Sequence, residues 1–474
     1  MSDSPTVSWL GCFIDHYYWR VLFARATRDG STSTRRLRPV QVIFLGFFGA
    51  GIVGAGLLML PVAKTGPGGA SFLEALFTAT SALCVTGLVV VDTPTYWTGF
   101  GQAVILALIQ VGGFGVMTFA SVVGLAVLRR FSLRSRLVAA AEVKSLGLEG
   151  VGSLVRGVVL ISLTIEAAAA IILTAQFAIA YGYGFGEAVW LGVFHSVSSF
   201  NNAGFALYSD SMMRYVADPV ICLTMSAAII LGGLGFPVLV QLRRHLREPR
   251  LWSMHTRLVL WGTILLLVLG AVYVTALEWA NPRTLGPLEW PAKLLAGFFQ
   301  SVQTRTAGFN SVDITQLHEA TWFGMDALMF IGGGPAGTAG GIKITTFGVL
   351  LFIIIAELRG DGVVNVFGKR LSRAVHRQAI TVALLAVALV AGSTGLMLLV
   401  TDHPLDKVLF EVTSAFGTVG LSAGITADIP PIGQVLLILL MFIGRLGPIT
   451  FASALALRER RLLYELPKER PIIG

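Results

Sequence analysis

The chain has 474 residues, of which 55% are hydrophobic and 13% are charged, and its net charge is +9. Soluble globular proteins carry about 25% charged residues, so this composition excludes that class and predicts a polytopic membrane protein in a lipid bilayer. The basic residues cluster in short loops between apolar spans, which indicates membrane topology rather than nucleic-acid binding.

Residues 1–38 are polar and basic, and they lack the pattern of a signal peptide. We expect them to form a cytoplasmic N-terminal segment, either an amphipathic surface segment or a contact with a partner protein. Cys12, Cys84 and Cys222 are far apart in the chain, and their spacing predicts neither a disulfide framework nor a metal site.

The rest of the chain alternates long and short apolar stretches. Eight of membrane length lie near 40–63, 102–128, 154–181, 219–242, 257–279, 322–356 (interrupted), 378–400 and 432–457. Each successive pair encloses a helical stretch that is too short to cross a bilayer. These short stretches lie near 71–83, 187–199, 291–303 and 405–416.

A Gly-containing segment follows each short helix, and a second Gly-rich motif recurs in the span after it. The first segments are CVTGL (84–88), NNAGF (201–205), RTAGF (305–309) and GTVGL (417–421). The second are QVGGFGV (110–116), LGGLGFP (231–237), IGGGPAG (331–337) and IGRLGPI (443–449). The sequence therefore predicts one unit, span–short helix–Gly loop–span, in four tandem copies.

We therefore expect an all-α polytopic membrane protein with eight full spans, in which four repeats surround a pseudo-fourfold pore. The second span of the third repeat is expected to be broken. The predicted domains are the segment 1–38, repeat 1 with a cytoplasmic linker (39–136), repeat 2 (137–256), repeat 3 (257–377), and repeat 4 with a short cytoplasmic tail (378–474). The basic loops place both termini in the cytoplasm and open the Gly loops to the outside.

Non-helical backbone at membrane depth must be buried in protein or line water. Four such loops around one axis can offer carbonyl oxygens in place of the hydration shell of a small cation. Gly permits left-handed backbone, and the carboxyl end of each short helix adds partial negative charge. For any single loop, the alternative is a Gly used only for helix packing. The candidate filter residues are Val85, Thr86, Gly87, Asn202, Ala203, Gly204, Thr306, Ala307, Gly308, Thr418, Val419 and Gly420.

The stretch SSFNNAGF (198–205) illustrates the expected loop geometry. We expect its helix to end near Phe200 and the next three residues, 201–203, to run extended. Gly204 is expected to take the permissive dihedral, while the amides of Asn201 and Asn202 brace the loop.

GGGPAGTAGGIKITT (332–346) interrupts the sixth span, where Pro335 removes a backbone donor and Gly disfavours helix. Such a break is costly in lipid, so we expect a cavity-lining loop rather than a broken helix used only for packing. Arg445 lies within an apolar span, where an interior partner is more typical than snorkelling to the interface. The residues singled out here are Gly332, Gly333, Gly334, Pro335, Gly337, Thr338, Gly340, Gly341, Lys343 and Arg445.

Several further polar residues are weaker candidates. Glu166 lies at mid-depth in the third span, where it is a functional residue or the partner of a cation. His195 is expected to make a helix-bracing hydrogen bond rather than bind a ligand. Four acidic residues follow the Gly loops and either concentrate cations at the outer mouth or are plain loop residues. They are Asp92, Asp210, Asp313 and Asp428.

These motifs resemble the Trk/Ktr/HKT superfamily of potassium and sodium transporters over roughly residues 40–460. The most specific segments are TSALCVTGLVVVDT, FNNAGF, TRTAGFN, FGTVGLSAG and GGGPAGTAGGIK. Trk-type subunits usually carry two extra spans before the first repeat. This chain has residues 1–38 there instead, and so looks closer to the bacterial Ktr-type membrane subunit.

The resemblance implies potassium uptake across the cytoplasmic membrane through four filter loops, with potassium ions at the filter carbonyls and no covalent cofactor. Sodium-selective members carry Ser in place of the first filter Gly, so Gly87 implies potassium. The resemblance also makes 332–346 an intramembrane gating loop, with Arg445 projecting into the pore beneath the filter. It further implies a homodimer with one pore per protomer, gated by a cytosolic nucleotide-binding ring.

Two other classes compete with this interpretation. A sodium-coupled secondary cation transporter is usually built from inverted repeats, whereas the four repeats here are parallel. An enzyme is not expected, because no nucleotide loop, HExxH motif or Ser/His/Asp grouping occurs in a plausible place. Whether sodium couples to transport or stimulates it stays open, as does the identity of the regulatory subunit and its nucleotide.

Overall fold

The computed structural model describes residues 39–128 and 151–447, with side chains described from 45–115 and 155–447. The predicted segment 1–38, most of the cytoplasmic linker of repeat 1 and the C-terminal tail lie outside these residues. The described chain is predominantly helical, as the composition predicts.

The helices form four consecutive groups, each with long helices around a short one. Group 1 holds α1 (Pro39–Leu58), α2 (Phe72–Leu83), α3 (Thr93–Tyr96) and α4 (Gly99–Leu128). Group 2 holds α5 (Val151–Ala180), α6 (Phe185–Phe200), α7 (Pro219–Leu234) and α8 (Phe236–His245). Group 3 holds α9 (Met254–Glu278), α10 (Trp290–Thr304), α11 (Glu319–Phe330) and α12 (Ile344–Arg359). Group 4 holds α13 (Arg373–Val400), α14 (Leu405–Gly417) and α15 (Pro431–Leu446).

A small antiparallel hairpin, β1 (Asn365–Val366) and β2 (Lys369–Arg370), links groups 3 and 4. Within the described residues, three helices are long and apolar enough to cross a membrane: Val155–Ala180, Met254–Glu278 and Arg373–Val400. A bent pair, Pro219–Leu234 with Phe236–His245, meets the same test when its halves are taken together. The predicted count of eight spans stays a prediction.

Large apolar side chains on the outer helices are exposed. Ile179 on α5 is 85% exposed and Leu399 on α13 is 82% exposed. Such exposure is unfavourable in water and is satisfied by lipid. The short helices are the reverse, since the last two turns of α2, α6, α10 and α14 are buried. The short helices therefore form the centre of the molecule and the long ones its outer layer.

The fourth apolar stretch differs from its prediction. The sequence predicts one continuous span over 219–242, but α7 and α8 meet at an angle of 102°. Gly235 joins them with φ of +91°, and Pro237 occupies the first turn of α8. A Cβ at Gly235 would overlap the carbonyl oxygen of Pro335. The bend therefore makes room for the interrupted sixth stretch.

Candidate functional site

The four Gly loops share one backbone conformation. The Gly residues have positive φ: +93° at Gly87, +70° at Gly204, +81° at Gly308 and +97° at Gly420. Two residues earlier, a non-Gly residue is also left-handed: Val85 (+55°), Asn202 (+58°), Thr306 (+72°) and Thr418 (+49°). Two left-handed residues spaced two apart turn the backbone out of the alternating carbonyl pattern of an extended strand.

This geometry corrects the expectation for SSFNNAGF. Helix α6 does end at Phe200, but residues 201–203 do not run extended. Asn201 caps the helix with φ −81° and ψ −1°, and Asn202 is left-handed. Asn is among the few residue types that adopt this conformation readily, because its short polar side chain can hydrogen-bond locally.

The Gly residues close a ring among the four loops. A Cβ on Gly87 would lie 2.5 Å from the carbonyl oxygen of Ala203, and one on Gly204 would lie 2.9 Å from that of Ala307. A Cβ on Gly308 or Gly420 would meet the carbonyl oxygen of Val419 or Thr86, respectively. The second, third and fourth loops thus each fill the space beside the Gly of the loop that precedes them in the chain. The first loop fills the space beside Gly420 of the fourth, so the four contacts form a closed ring. All twelve candidate filter residues lie in these loops.

Serine side chains brace three of the loops from behind. Ser81 Oγ accepts a hydrogen bond from the Gly87 amide (3.1 Å) and donates to the Leu88 carbonyl (2.7 Å). Ser414 Oγ accepts from the Gly420 amide (3.1 Å), and Ser198 Oγ donates to the Phe205 carbonyl (2.8 Å).

The third loop has a different brace. Val302 stands where the others have Ser, and the Gln303 side chain instead accepts from the Phe309 amide (3.2 Å). The sequence analysis predicted neither the serine braces nor the Gln303 brace. The signal that could have found the serines is their constant spacing before the loop Gly in three of the repeats.

Ser81→Ala is expected to destabilise the protein by about 1–3 kcal/mol, because it leaves a buried amide and a buried carbonyl without partners. The measurement is the denaturation midpoint of the detergent-purified protein. Ser226→Ala is the matched control, since Ser226 is buried and its hydroxyl forms no hydrogen bond within the described chain. Equal shifts in both variants would show that the Ser81 hydrogen bonds contribute nothing specific.

A second layer of polar side chains supports the loops. Glu166 accepts hydrogen bonds from the side-chain amides of Gln110 (2.9 Å) and Asn201 (3.0 Å). It therefore braces the second loop and, in the described chain, forms no ion pair. His195 Nδ1 lies 2.8 Å from the Leu191 carbonyl, and Nε2 accepts from the Leu207 amide (3.2 Å). The predicted bracing role of His195 agrees with these contacts.

Glu411 takes the place of His195 in the fourth repeat. It accepts hydrogen bonds from the Ala423 amide (3.1 Å) and from the hydroxyls of Ser422 and Thr426. The amides that His195 and Glu411 bind both follow the loop Gly by the same number of residues. Both side chains thus fasten the segment after the loop to its own short helix.

A cavity of about 350 Å³ opens on one side of the Gly ring and is lined by all four loop glycines. Asp92, Asp210 and Asp313 line it, whereas Asp428 does not. Arg214 pairs with Asp210 (2.7 Å), and its guanidinium stacks over the Tyr208 ring at 4.4 Å.

These contacts set the charge of the cavity. The hydrogen bonds to Asp210 raise the pKa of Arg214, so this ion pair stays intact at neutral pH. Burial raises the pKa of Tyr208 far above its ordinary value, so the phenol stays neutral. Asp92 Oδ2 accepts hydrogen bonds from Thr95 (2.6 Å) and Ser209 (2.7 Å), and it carries no cationic partner in the described chain. Asp92 is therefore positioned to attract cations.

With potassium as the cation that the sequence resemblance implies, Asp92→Asn is expected to raise the KM for its uptake about two- to threefold at low ionic strength, because less negative charge remains in the cavity. The difference should shrink as salt screens the field. Asp428→Asn is the control, since this exposed carboxylate lies outside the cavity. The measurement is initial uptake at several salt concentrations. A shift that does not depend on salt would indicate a local structural effect instead.

The predicted interruption of the sixth stretch is present. Helix α11 ends at Phe330 and α12 begins at Ile344, and residues 331–343 between them form a loop. The Gly332 amide donates to the Ile342 carbonyl (2.8 Å) and closes the base of this loop. Further hydrogen bonds join Gly334 to the Gly233 carbonyl (2.8 Å) and Thr338 to the Gly232 carbonyl (3.1 Å). The loop is thus buried against the α7–α8 bend rather than exposed to lipid.

Two cations hold this loop through its carbonyl oxygens. Arg445 is 3% exposed, and it donates to the carbonyls of Thr338 and Gly112 (3.3 Å to the latter). Lys343 donates to the carbonyls of Ala339 and Gly340. Neither forms an ion pair with a carboxylate in the described part of the chain. Arg445 lies in the last turn of α15, which ends at Leu446, and its side chain is buried rather than extended to an interface.

The loop also contacts two of the Gly loops directly. The Asn202 amide donates to the Thr338 hydroxyl (2.9 Å) and to the Ile229 carbonyl (3.2 Å). Thr338 in turn donates to the Phe200 carbonyl (3.3 Å). A Cβ on Gly340 would overlap the Thr418 hydroxyl, so the loop passes against the fourth Gly loop. The ten residues singled out in this region therefore lie in, or in contact with, a loop that adjoins the ring.

The geometry offers a ring of carbonyl oxygens, an acidic cavity on one side of it and a cation-held loop packed against it. Within the described residues, no group of three His, Cys, Asp or Glu side chains could hold a metal ion. The arrangement suits passage of a monovalent cation rather than covalent chemistry.

Comparisons with known proteins agree with this geometry. The TrkH family model, described as cation transport protein, matches residues 61–460. The chain is 42% identical to Ktr system potassium uptake protein B of Bacillus subtilis, over 90% of this chain and 94% of that protein. It is 34% identical to potassium/sodium uptake protein NtpJ of Enterococcus hirae, over 93% and 98%. The crystal structure of the potassium transporter TrkH from Vibrio parahaemolyticus superposes with a TM-score of 0.68 at 19% identity, covering 91% of this chain and 87% of that one, and so shares the fold.

Proposed function

The chain belongs to the TrkH family of cation transport proteins, and from that membership we propose that it takes up potassium through the ring of its four Gly loops. The family consists of transporters, and the protein is not an enzyme. The observation that carries the proposal is the cyclic contact of Gly87, Gly204, Gly308 and Gly420 with the carbonyl oxygens of the next loop.

Potassium enters from the acidic cavity and exchanges its hydration water for carbonyl oxygens of the loops. The ring sets the distance between opposing carbonyls, because each loop fills the space beside its neighbour's Gly. The serine and glutamine braces hold the loop backbones, so they cannot collapse around a smaller cation without losing buried hydrogen bonds. Selectivity for potassium then follows from a ring whose size is set by packing.

The loop between α11 and α12 (331–343), within the predicted segment 332–346, acts as the gate in this proposal, and Arg445 as a charge beneath the filter. The loop contacts the second and fourth Gly loops, and these contacts support a position on the path of an ion that leaves the ring. A buried guanidinium repels a cation strongly where the local dielectric constant is low. The closed loop and the charge of Arg445 together oppose passage, and uptake requires the loop to move.

The proposed architecture has eight spans in four repeats around a pseudo-fourfold axis, with the second span of repeat 3 broken by the gating loop. The four matching groups of helices support it. We place the protein in the cytoplasmic membrane with both termini in the cytoplasm, because the basic loops cluster on that side. The domain bounds predicted from the sequence are retained.

The proposed assembly is a homodimer in which each protomer holds its own pore, regulated by a cytosolic nucleotide-binding ring. The Bacillus subtilis relative is named as protein B of a Ktr system, which supports a membrane subunit that works with a separate component. Sodium uptake beside potassium is a second candidate, because the Enterococcus hirae relative is named a potassium/sodium uptake protein. Sodium-coupled secondary transport is the corresponding alternative mechanism.

The test is expression in a bacterium that lacks its own potassium uptake systems. The native chain is expected to restore growth on low potassium and to accumulate rubidium, with sodium competing poorly. Growth that depends on external sodium would favour the coupled mechanism. Absence of uptake by a correctly inserted protein, with and without a Ktr regulatory subunit, would overturn the proposal.

A further inference from the structure

Arg305 is a buried cation at the end of the third short helix. It caps α10 three residues before Gly308, and it is 7% exposed. The corresponding residues of the other repeats, Cys84, Asn201 and Gly417, are uncharged. A charge at this place partly cancels the negative end of the α10 dipole, which otherwise favours a cation. Its presence in one repeat of four therefore calls for a specific role.

The guanidinium of Arg305 contacts the gating loop and α9. Nη2 donates to the Gly332 carbonyl (3.3 Å), and Nη1 lies 3.4 Å from the Thr263 carbonyl on α9. It forms no ion pair with a carboxylate among the described residues. Gly332 is the residue whose amide closes the base of the loop onto Ile342. Arg305 therefore contacts the loop at the point where it begins.

Three cations thus contact the loop at three places along its length. Arg305 contacts its base at Gly332, Arg445 its middle at Thr338, and Lys343 its end at Ala339 and Gly340. A buried charge without a carboxylate depends on carbonyl dipoles for its stabilisation. When the loop moves, Arg305 and Arg445 each lose part of that stabilisation, whereas Lys343 belongs to the loop and its hydrogen bonds hold the end of the loop together. The contacts of Arg305 and Arg445 therefore favour the loop position that the structure shows.

We infer that Arg305 is a positioning residue for the gate, which holds the base of the gating loop as Arg445 holds its middle. This inference rests on the proposed function, since it assigns Arg305 to the gate of the same pore. Arg305 acts on the loop through Gly332 and does not contact the transported ion. Its loss is expected to change how often the gate opens and to leave the selectivity of the ring unchanged.

The first test compares native protein, Arg305→Met, Arg305→Lys and the control Arg283→Met in proteoliposomes without a regulatory subunit. Arg283 is an exposed loop residue that pairs with the Gln316 side chain on the surface. Removing a hydrogen bond from a charged group should raise the basal rate of rubidium uptake about tenfold in Arg305→Met, with KM and the rubidium-to-sodium ratio unchanged. Arg305→Lys should keep the basal rate of rubidium uptake close to the native rate, and Arg283→Met should have the native rate.

The second test is deuterium exchange over residues 332–342, which does not depend on transport. Faster exchange there in Arg305→Met than in native protein, with the four Gly loops unaffected, supports the inference even if the native chain carries no rubidium. Faster loop exchange in Arg305→Met together with no rubidium uptake by the native chain would overturn the proposed function but not the role of Arg305. The role of Arg305 would be overturned if the loop of Arg305→Met exchanged at the native rate. It would also be overturned if Arg305→Met lost selectivity for rubidium over sodium without a rise in the basal uptake rate. If Arg305→Met does not fold, Arg305→Lys is the test: it should raise both the basal uptake rate and the deuterium exchange of the loop slightly above the native values. Native values of both quantities in Arg305→Lys would then count against the inference.

Discussion

Gly87→Ser is expected to reduce discrimination of potassium over sodium at least about tenfold, which corresponds to about 1.4 kcal/mol between the two ions. The added Cβ would lie 2.5 Å from the Ala203 carbonyl oxygen, a distance that side chains do not adopt. Ala203 belongs to the second loop, so a substitution in the first loop displaces a carbonyl oxygen of its neighbour, and the proposed function assigns that oxygen to the filter. The φ of +93° at Gly87 adds backbone strain to any residue with a Cβ.

The measurement is competition of sodium with rubidium uptake in the potassium-uptake-deficient host. Gly392→Ser is the matched control, because Gly392 lies on α13 and a Cβ there meets no atom within 4 Å. A folded Gly87→Ser variant with native selectivity would contradict the four-loop filter. The interrupted stretch 332–346 would then become the place to search for a cation site.

Arg445→Ala is expected to raise basal potassium uptake about tenfold or more. The substitution removes a buried charge that repels cations and two hydrogen bonds that hold the gating loop and α4. Arg445→Lys should give an intermediate rate, because it keeps the charge but has fewer donors. The two variants thus separate the contribution of charge from that of loop binding.

The readout is the initial rate of rubidium influx at saturating rubidium, normalised to protein in the membrane. Selectivity over sodium serves as an internal control, since a gate defect leaves the ring intact. An uptake rate in Arg445→Ala at or below the native rate, in a folded protein, would contradict the assignment of Arg445 to the barrier.

Repetition within the chain predicted the helical class, the short helices and the place of each Gly loop. Repetition was informative because each repeat requires a positive φ at the same position of its loop, and Gly adopts a positive φ most readily. The resemblance to known transporters then supplied the family, which the comparisons confirm.

Features that depend on contacts between repeats were missed. Gly235 and Pro237 mark a weak point in the stretch 219–242, but the close approach of Pro335, far away in the chain, cannot be read from that stretch. Arg305 is not distinguished by the sequence from other basic residues, but its side chain contacts the carbonyls of Thr263 and Gly332. The left-handed backbone at Asn202 was not predicted, because Gly is the residue type that favours this conformation most strongly.

The hydrogen bond between Asn202 and Thr338 joins the ring to the loop beneath it. If that loop is the gate, its opening must break a bond to a side chain of the second Gly loop, whose backbone binds the ion in the proposed function. Linkage then works in both directions with equal free energy. An ion that steadies the second loop alters the opening equilibrium, and a bound regulator that draws the gate away alters ion affinity. The transported cation is in that sense also an effector of its own conductance.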